Sequence, residues 1–560
     1  MKTHKQNNQK TPKAISEPVP RDEVYSHGET DLKTENEALR QKITEMEVTF
    51  KTGLQTENEA LQQKVAELEA LIKFYEEQIR LAKHRQFAAS SEKTENAEQL
   101  GLFDEAETTA NPKAEEKATL EETITYTRKK PVGKRADDIS KLKVETIVCE
   151  LPEAERVCPA CGGALHTLDI EERCEVEIIP AQFVAKRYQQ HVYGCRSCEK
   201  NGDGVPITKA SAPEPVIRNS LASPSAVAHI MVEKYVKAVP LYRQEQSLLR
   251  DGIALSRQTM ANWMVKCADD WLTPVYDALK KQLLTEPVLH ADETVLQVLK
   301  EPNKAANSNS YEWLYRTGGC AAHPVVLYEY QPTRSSAHPK LFLHNWKGFL
   351  HTDGYSGYHQ LPNVTVVGCY AHVRRKFDEA LKVLPVDGRP GSNAEKGLLY
   401  CNRLFEYERA FAALSAEERY IKRNELSLPV ATEFLDWAKT YAAHPKSAVV
   451  IAMAYYVNQW PYLSNVFTDG RLELSNNRSE RSIKPFVIGR KNWLFSNSQK
   501  GAKASSVIYS IIQTAIENGL VPFKYLKMLF EILPNTSTGQ ITSLLPWVDA
   551  VKDLCGVDAV

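Results

Sequence analysis

The chain has 560 residues, 70 Lys and Arg against 71 Asp and Glu, and a formal net charge of −1. That length exceeds what one hydrophobic core supports and predicts several units, while the near-zero charge requires any strongly basic surface to be local. No apolar run approaches the ~18 residues of a membrane span, and no apolar stretch follows the basic start. The odd count of 11 cysteines argues against a disulfide framework and for a reducing compartment, by default the cytoplasm.

Residues 1–30 are polar and are expected to be a disordered tail. From Leu32 the segment LKTENEALRQKITEMEV is repeated from Leu54 as LQTENEALQQKVAELEA, a period of 22. Leu54, Leu61, Leu68 and Tyr75 stand seven apart, so residues 31–86 are predicted to form a coiled coil, most simply in a homodimer. Three heptads plus one residue make up the period, which requires a register skip near Gly53. A single amphipathic helix lying on the rest of the protein is the alternative. Residues 87–145 are acid-rich and poor in large apolar side chains, as in a charged linker.

Residues 146–205 contain Cys158-x-x-Cys161, a 33-residue spacer and Cys195-x-x-Cys198. Four thiolates in two such turns make a closed tetrahedral site, so a zinc ribbon with one structural Zn²⁺ is expected, its spacer forming a hairpin. In residues 206–285 Gly252 separates two helical stretches, and Ser256-Arg257-Gln258-Thr259 opens the second. That pattern fits a helix-turn-helix with Arg257, Gln258 and Asn262 at the start of a recognition helix, or a helical hairpin that merely packs. Trp263 belongs in its core.

Residues 286–515 read as mixed α/β, with strands at VLHAD, EWLYRTGG, VVLYEYQ, FLHTD and TVVGCYAH. Asp292 and Asp353 end apolar runs, at the lip of a sheet where such folds place their chemistry. Acids on the first and fourth strands fit a ribonuclease-H-like sheet, with a helical insertion at about 376–465. Glu480 follows the capping residues Ser475-Asn476-Asn477 on a short segment expected to close before Pro485. Converging carboxylates stay ionised only beside a hard cation, and two Mg²⁺ about 3.5–4 Å apart suit phosphodiester chemistry. Glu473 is the alternative third acid, whereas Glu293, next to Asp292 on a strand, points to the other face. From Arg481 to Lys503 there are six basic residues and no acid, interleaved with Trp493 and Phe495. Arg478, Arg481, Lys484, Arg490, Lys491 and Lys500 are therefore candidate phosphate contacts, as are Arg374 and Arg375 beside His372, although a solvated charged face is the alternative. Residues 516–560 form a C-terminal helical segment.

From about residue 70 onward the chain resembles the insertion-sequence-66 family of bacterial transposases. The motifs, in order, are LAKHRQFAASSEK, CPACGG with CRSC, VPLYRQEQ with GIALSRQTMANW, HADET, TDGYSGY, CYAHVRRKF, NNRSERSIKPFVIGRKNWLFSNS and LLPW. The resemblance implies a DDE triad at Asp292, Asp353 and Glu480. It further implies Mg²⁺-dependent cleavage at element ends, transfer of the 3′-hydroxyl strand to target DNA, and help from small accessory proteins of the same element. The expected fold class is a multidomain α+β chain: coiled coil, zinc ribbon, helix-turn-helix-like region and ribonuclease-H-like catalytic domain. Expected partners are duplex DNA and a second copy, in the cytoplasm at the nucleoid and without a membrane. A zinc-containing DNA-binding regulator without catalysis, and a nuclease acting on RNA–DNA hybrids, are the rival readings.

Overall fold

A computed structural model describes residues 29–87, 183–194, 207–440, 447–535 and 538–557. The four ribbon cysteines, the tail up to residue 28 and nearly all of the acidic linker lie outside the described residues, and residues 29 and 30, expected in the tail, are helical. Helix α1 (Glu29–Phe87) is continuous over 59 residues, so the register skip at Gly53 does not break it. Leu39, Leu54, Leu61, Leu68 and Ile79 along its stripe are exposed. Strand β1 (Val192–Gly194) pairs antiparallel with β2 (Ile207–Lys209), and the second Cys-x-x-Cys lies between them in sequence. Most of the hairpin expected inside the spacer falls outside the described residues.

Four helices follow: α2 (Pro224–Tyr235), α3 (Leu241–Arg250), α4 (Arg257–Cys267) and α5 (Thr273–Leu283). Ser223 and Ser256 cap α2 and α4 by accepting the Ala226 and Thr259 N–H groups. Gly252 turns the chain between α3 and α4 at φ +82°, a conformation that favours glycine. Trp263 is buried as expected, and the core containing it continues from Val216 through the sheet to Cys555.

The main sheet has the order β5-β4-β3-β6-β7, built from β3 (Val288–Lys300), β4 (Asn309–Thr317), β5 (Val326–Gln331), β6 (Gly348–His351) and β7 (Val364–Val367). Strand β4 is antiparallel to β3 and β5, whereas β3, β6 and β7 are parallel. Asp292 is therefore not at a strand end. β3 runs on to Lys300 because Leu296 and Val298 alternate into the core, and β8 (Ser496–Ser498) pairs with its far end. The expected last strand is also shorter: it stops at Val367, and Tyr370 begins a helix.

Short helix α6 (Ala337–Phe342) precedes β6. Between β7 and Glu480 stand α7 (Tyr370–Val383), α8 (Asn393–Ala410), α9 (Ala416–Lys422), α10 (Leu428–Thr440) and α11 (Ala448–Leu463). Their separate core centres on Phe377, Leu404, Phe405, Phe434 and Tyr456. Buried Arg423 pairs with Glu408 at 2.6 Å and donates to Leu472 O at 2.8 Å, tying this insertion to the segment that leads to Glu480. That segment enters α12 (Asn477–Trp493), which does not close before Pro485. Buried Ile483, Phe486 and Gly489 hold the helix through the proline, so tertiary packing outweighs the missing N–H.

Helix α13 (Gln499–Glu517) covers the edge strand β5, and α14 (Pro522–Ile532) and α15 (Asp549–Cys555) complete the chain. Hydroxyls of α13 take the place of a missing strand: Ser510 accepts the Tyr328 N–H at 2.8 Å. Thr514 likewise accepts the Val326 N–H at 3.0 Å and donates to Val326 O at 2.9 Å. An exposed sheet edge is a pairing hazard, and these side chains close it. Thr514→Val leaves a buried N–H unsatisfied and is expected to cost about 1–3 kcal/mol in denaturant unfolding; an unchanged midpoint would contradict this account of the edge.

Candidate metal centre

Strands β3 and β6 pair in parallel with His290 opposite His351. Asp292 lies two residues further along β3 and Asp353 two residues past His351, just beyond the end of β6, near enough for the Asp353 charge to bear on Asp292. The third acid comes from α12, where Glu480 is 3 % exposed. Burial holds the Asp292 carboxyl well above the usual carboxylate range, and the charges of Asp353, Glu293 and Glu480 push it in the same direction. The structure thus brings together the three acids singled out in the sequence, although their oxygens do not close to within 4.8 Å of one another. This all-oxygen donor set fits hard divalent cations.

Each acid is held in place. Asp292 Oδ1 accepts the Glu293 N–H at 2.8 Å. Asp353 Oδ1 accepts the Tyr355 N–H at 2.9 Å, across Gly354 at φ +96°, and Tyr455 of the insertion donates to Asp353 O at 3.1 Å. Glu480 lies 3.6 Å from His372 Nε2 and 3.4 Å from Arg375 Nη2. His372 is pushed down to about 4, by burial and then by Arg375, so its imidazole is neutral at neutral pH. Glu293 is engaged elsewhere, accepting from Tyr358 Oη at 2.6 Å and pairing with Arg334.

The sequence reading passed over a buried polar scaffold beneath the acids. His290 and His351 stack with centroids 4.3 Å apart, both fully buried and both held well below the ordinary imidazole value, first of all by burial. Asn476 donates to Ala291 O at 3.0 Å, which leaves its Oδ1 to accept from His290 Nδ1 at 2.9 Å. The Asn476 N–H donates to Cys369 Sγ at 3.1 Å, and the Glu473 N–H donates to His351 Nε2 at 3.3 Å. Three acid-bearing segments are thereby joined through residues two or four positions before each acid. The signal was present as the repeated His-x-Asp of HAD and HTD. Glu473, the alternative third acid, pairs instead with Arg478 at 2.8 Å and faces His290 Nε2 at 3.7 Å. From β4, Arg316 donates to Arg478 O at 3.3 Å and forks onto Glu517 with two 3.0 Å bonds, which fixes the start of α12.

The basic candidates divide by burial. Arg257, Gln258 and Asn262 are exposed on α4, with Gln258 bonded to Asn262 at 3.1 Å. Arg481, Lys491 and Lys500 are exposed and Lys484 is half-buried; half-buried Arg490 donates to Thr294 at 3.1 Å, and Lys500 pairs with Asp269 at 3.0 Å. Arg374 departs from expectation: it is buried and donates to Asn402 at 2.9 Å inside the insertion. Trp493 packs against Tyr235, centroids 6.2 Å apart, whereas Phe495 remains exposed.

A carboxyl raised in the folded state holds its proton more tightly there than in the unfolded chain. Stability therefore falls as pH rises from the ordinary carboxylate value through the raised one. In metal-free buffer Asp292→Asn should raise the neutral-pH Tm by a few degrees, with the gain shrinking towards pH 4. Added Mg²⁺ should stabilise the unsubstituted chain more than the variant. A lower Tm for the variant across this range would contradict the repulsion.

Comparison with known proteins agrees with the motifs. A family model described as "Transposase IS66 family" matches residues 219–504. A second, the "zinc-finger binding domain of transposase IS66", matches 155–199, and a third, "Transposase C of IS166 homeodomain", matches 75–147. Two Sinorhizobium fredii proteins, both described as uncharacterized, are similar. The protein y4jD is 31 % identical over 415 residues, covering 71 % of this chain and 78 % of that protein. The protein y4hP is 30 % identical over 442 residues, covering 75 % and 78 %. The carboxylate centre and most of the core lie within the first match, and the chain belongs to the IS66 transposase family.

Proposed function

We propose that this chain is a metal-dependent DDE transposase that cuts at the ends of an insertion sequence and transfers the 3′-hydroxyl strand to target DNA. The observation that carries the reading is the convergence of Asp292, Asp353 and Glu480 from β3, the β6 end and α12. The order β5-β4-β3-β6-β7 with β4 alone reversed supports a ribonuclease-H-like domain interrupted by α7–α11. Asp292 and Asp353 would hold one Mg²⁺, and Glu480 with either of them a second. When bound, such ions supply Lewis acidity at the attacking and leaving oxygens of an in-line displacement.

The chain's own groups do the rest. Tyr455 and the Gly354 turn aim Asp353; Arg375 holds Glu480, and its guanidinium stands where a scissile phosphate can exchange for it. No protein nucleophile is required. Arg257, Gln258 and Asn262 would read the element's end from α4, while Arg478, Arg481, Lys484, Arg490, Lys491 and Lys500 would contact phosphates. Cys158, Cys161, Cys195 and Cys198 would hold one structural Zn²⁺. The exposed stripe of α1 supports a coiled-coil homodimer.

The test is cleavage of labelled duplex carrying the parent element's end, with Mg²⁺ and with EDTA, adding the element's accessory proteins if the chain alone binds without cutting. Asp292→Asn, Asp353→Asn and Glu480→Gln should each lower cleavage by at least ~1,000-fold, several kcal/mol of transition-state stabilisation, while end binding persists. Cutting that survives Asp292→Asn would overturn the assignment. Replacing Leu61 and Leu68 by Asp should turn a dimer into a monomer in sedimentation equilibrium; an unaltered mass would exclude the coiled-coil dimer.

A further inference from the structure

Cys369 is the N-cap of α7 and His372 is its third helical residue, so both side chains sit on the first turn, and Glu480 meets them from α12. One Sγ, one imidazole nitrogen and one carboxylate oxygen lie within 4.8 Å of one another, and among the described residues no other trio of His, Cys, Asp and Glu donors does. His372 Nε2 and Glu480 Oε1 are already 3.6 Å apart. Ligands ~2.0–2.3 Å from a tetrahedral ion are separated by roughly 3.3–3.8 Å, so small side-chain rotations close the set. The Asn476 N–H donates to the sulfur at 3.1 Å; burial, and then the Glu480 charge, push the thiol up to about 12, so the arriving cation itself must draw off the proton.

We propose that Cys369, His372 and Glu480 form a thiophilic divalent-cation site of the Zn²⁺ class that shares Glu480 with the carboxylate centre. A sulfur–nitrogen–oxygen set selects Zn²⁺ or Co²⁺, whereas Mg²⁺ needs oxygens, so the two centres differ in the ion they take. As the metal–sulfur bond forms the thiol gives its proton to solvent, and thiolate and carboxylate together neutralise the 2+ charge. Three protein ligands leave a fourth position open. An occupied site draws Glu480 away from Asp292 and so opposes the Mg²⁺ reaction. This last consequence rests on the transposase reading; the binding does not.

The experiment uses the full chain with its ribbon already loaded with Zn²⁺, titrated with Co²⁺ and followed by absorption and metal stoichiometry. A second metal equivalent and a near-ultraviolet thiolate-to-Co²⁺ band are expected. Cys369→Ser, which keeps an acceptor for the Asn476 N–H, should abolish the band. His372→Gln should weaken binding by more than ~100-fold, beyond the loss seen when only an outer-shell partner is removed. Asp292→Asn should leave the band in place. A single equivalent per chain, or a band that survives Cys369→Ser, would overturn the site. Mg²⁺-dependent cleavage, measured for each chain against its own zinc-free rate, should be blocked by Zn²⁺ far more strongly in the unsubstituted chain than in Cys369→Ser. Equal inhibition alongside a confirmed thiolate band would overturn the sharing of Glu480. If neither chain cuts DNA even with the element's accessory proteins added, the transposase reading fails while the stoichiometry still decides the site.

Discussion

The burial of like-charged carboxyls where β6 ends beside β3 is the constraint on which the rest of the site depends. Asp292, Asp353 and Glu480 come from elements far apart in sequence, and burial raises the cost of their charges. Such an arrangement does not stabilise the fold; the fold must tolerate it. The compensation lies one layer down, where stacked His290 and His351 and the Asn476 amide fix the backbone on which the acids stand. Neutral imidazoles suit that layer, because added positive charge there would have no solvent to spread into.

The helical insertion is part of the same device. Its aromatic core takes in Val288 and Val367 of the sheet, and Arg423 grips the approach to α12. Tyr455 meanwhile reaches the Asp353 backbone. Cys369, His372 and Arg375 all sit on its first helix, directly after β7, so this helix bounds the site on the side of Glu480. On the opposite flank, Arg316 ties α12 to β4 and to Glu517. The approach to α12 and its first turn are thus held from both sides.

Much of this was legible in the residues. The apolar runs ending in HAD and HTD located two acids, and the Ser256 cap and Gly252 turn located α3 and α4. What the sequence concealed had physical causes. Asp292 looked like a strand end because the polar residues after it resemble a turn, yet Leu296 and Val298 keep the strand in the core. Pro485 looked like a stop because local rules ignore the packing of Phe486 and Gly489. Arg374 and Arg375 are neighbours with opposite fates, one buried against Asn402 and the other beside Glu480, which only the packing of α7 against α8 and α12 decides. The surroundings of Glu473 and Glu480 likewise differ only in three dimensions, where Arg478 pairs with Glu473 and Arg375 lies beside Glu480. The roles of His290 and His351 were missed because a histidine in an apolar run is more often an inert core residue than a scaffold for its neighbour.

The most direct test is anomalous diffraction at the manganese edge from crystals of the full chain bound to its element-end duplex and soaked in Mn²⁺. The account predicts anomalous peaks between the carboxylates of Asp292, Asp353 and Glu480, beside a DNA phosphate. Peaks coordinated by other residues, with these three acids bare, would contradict it.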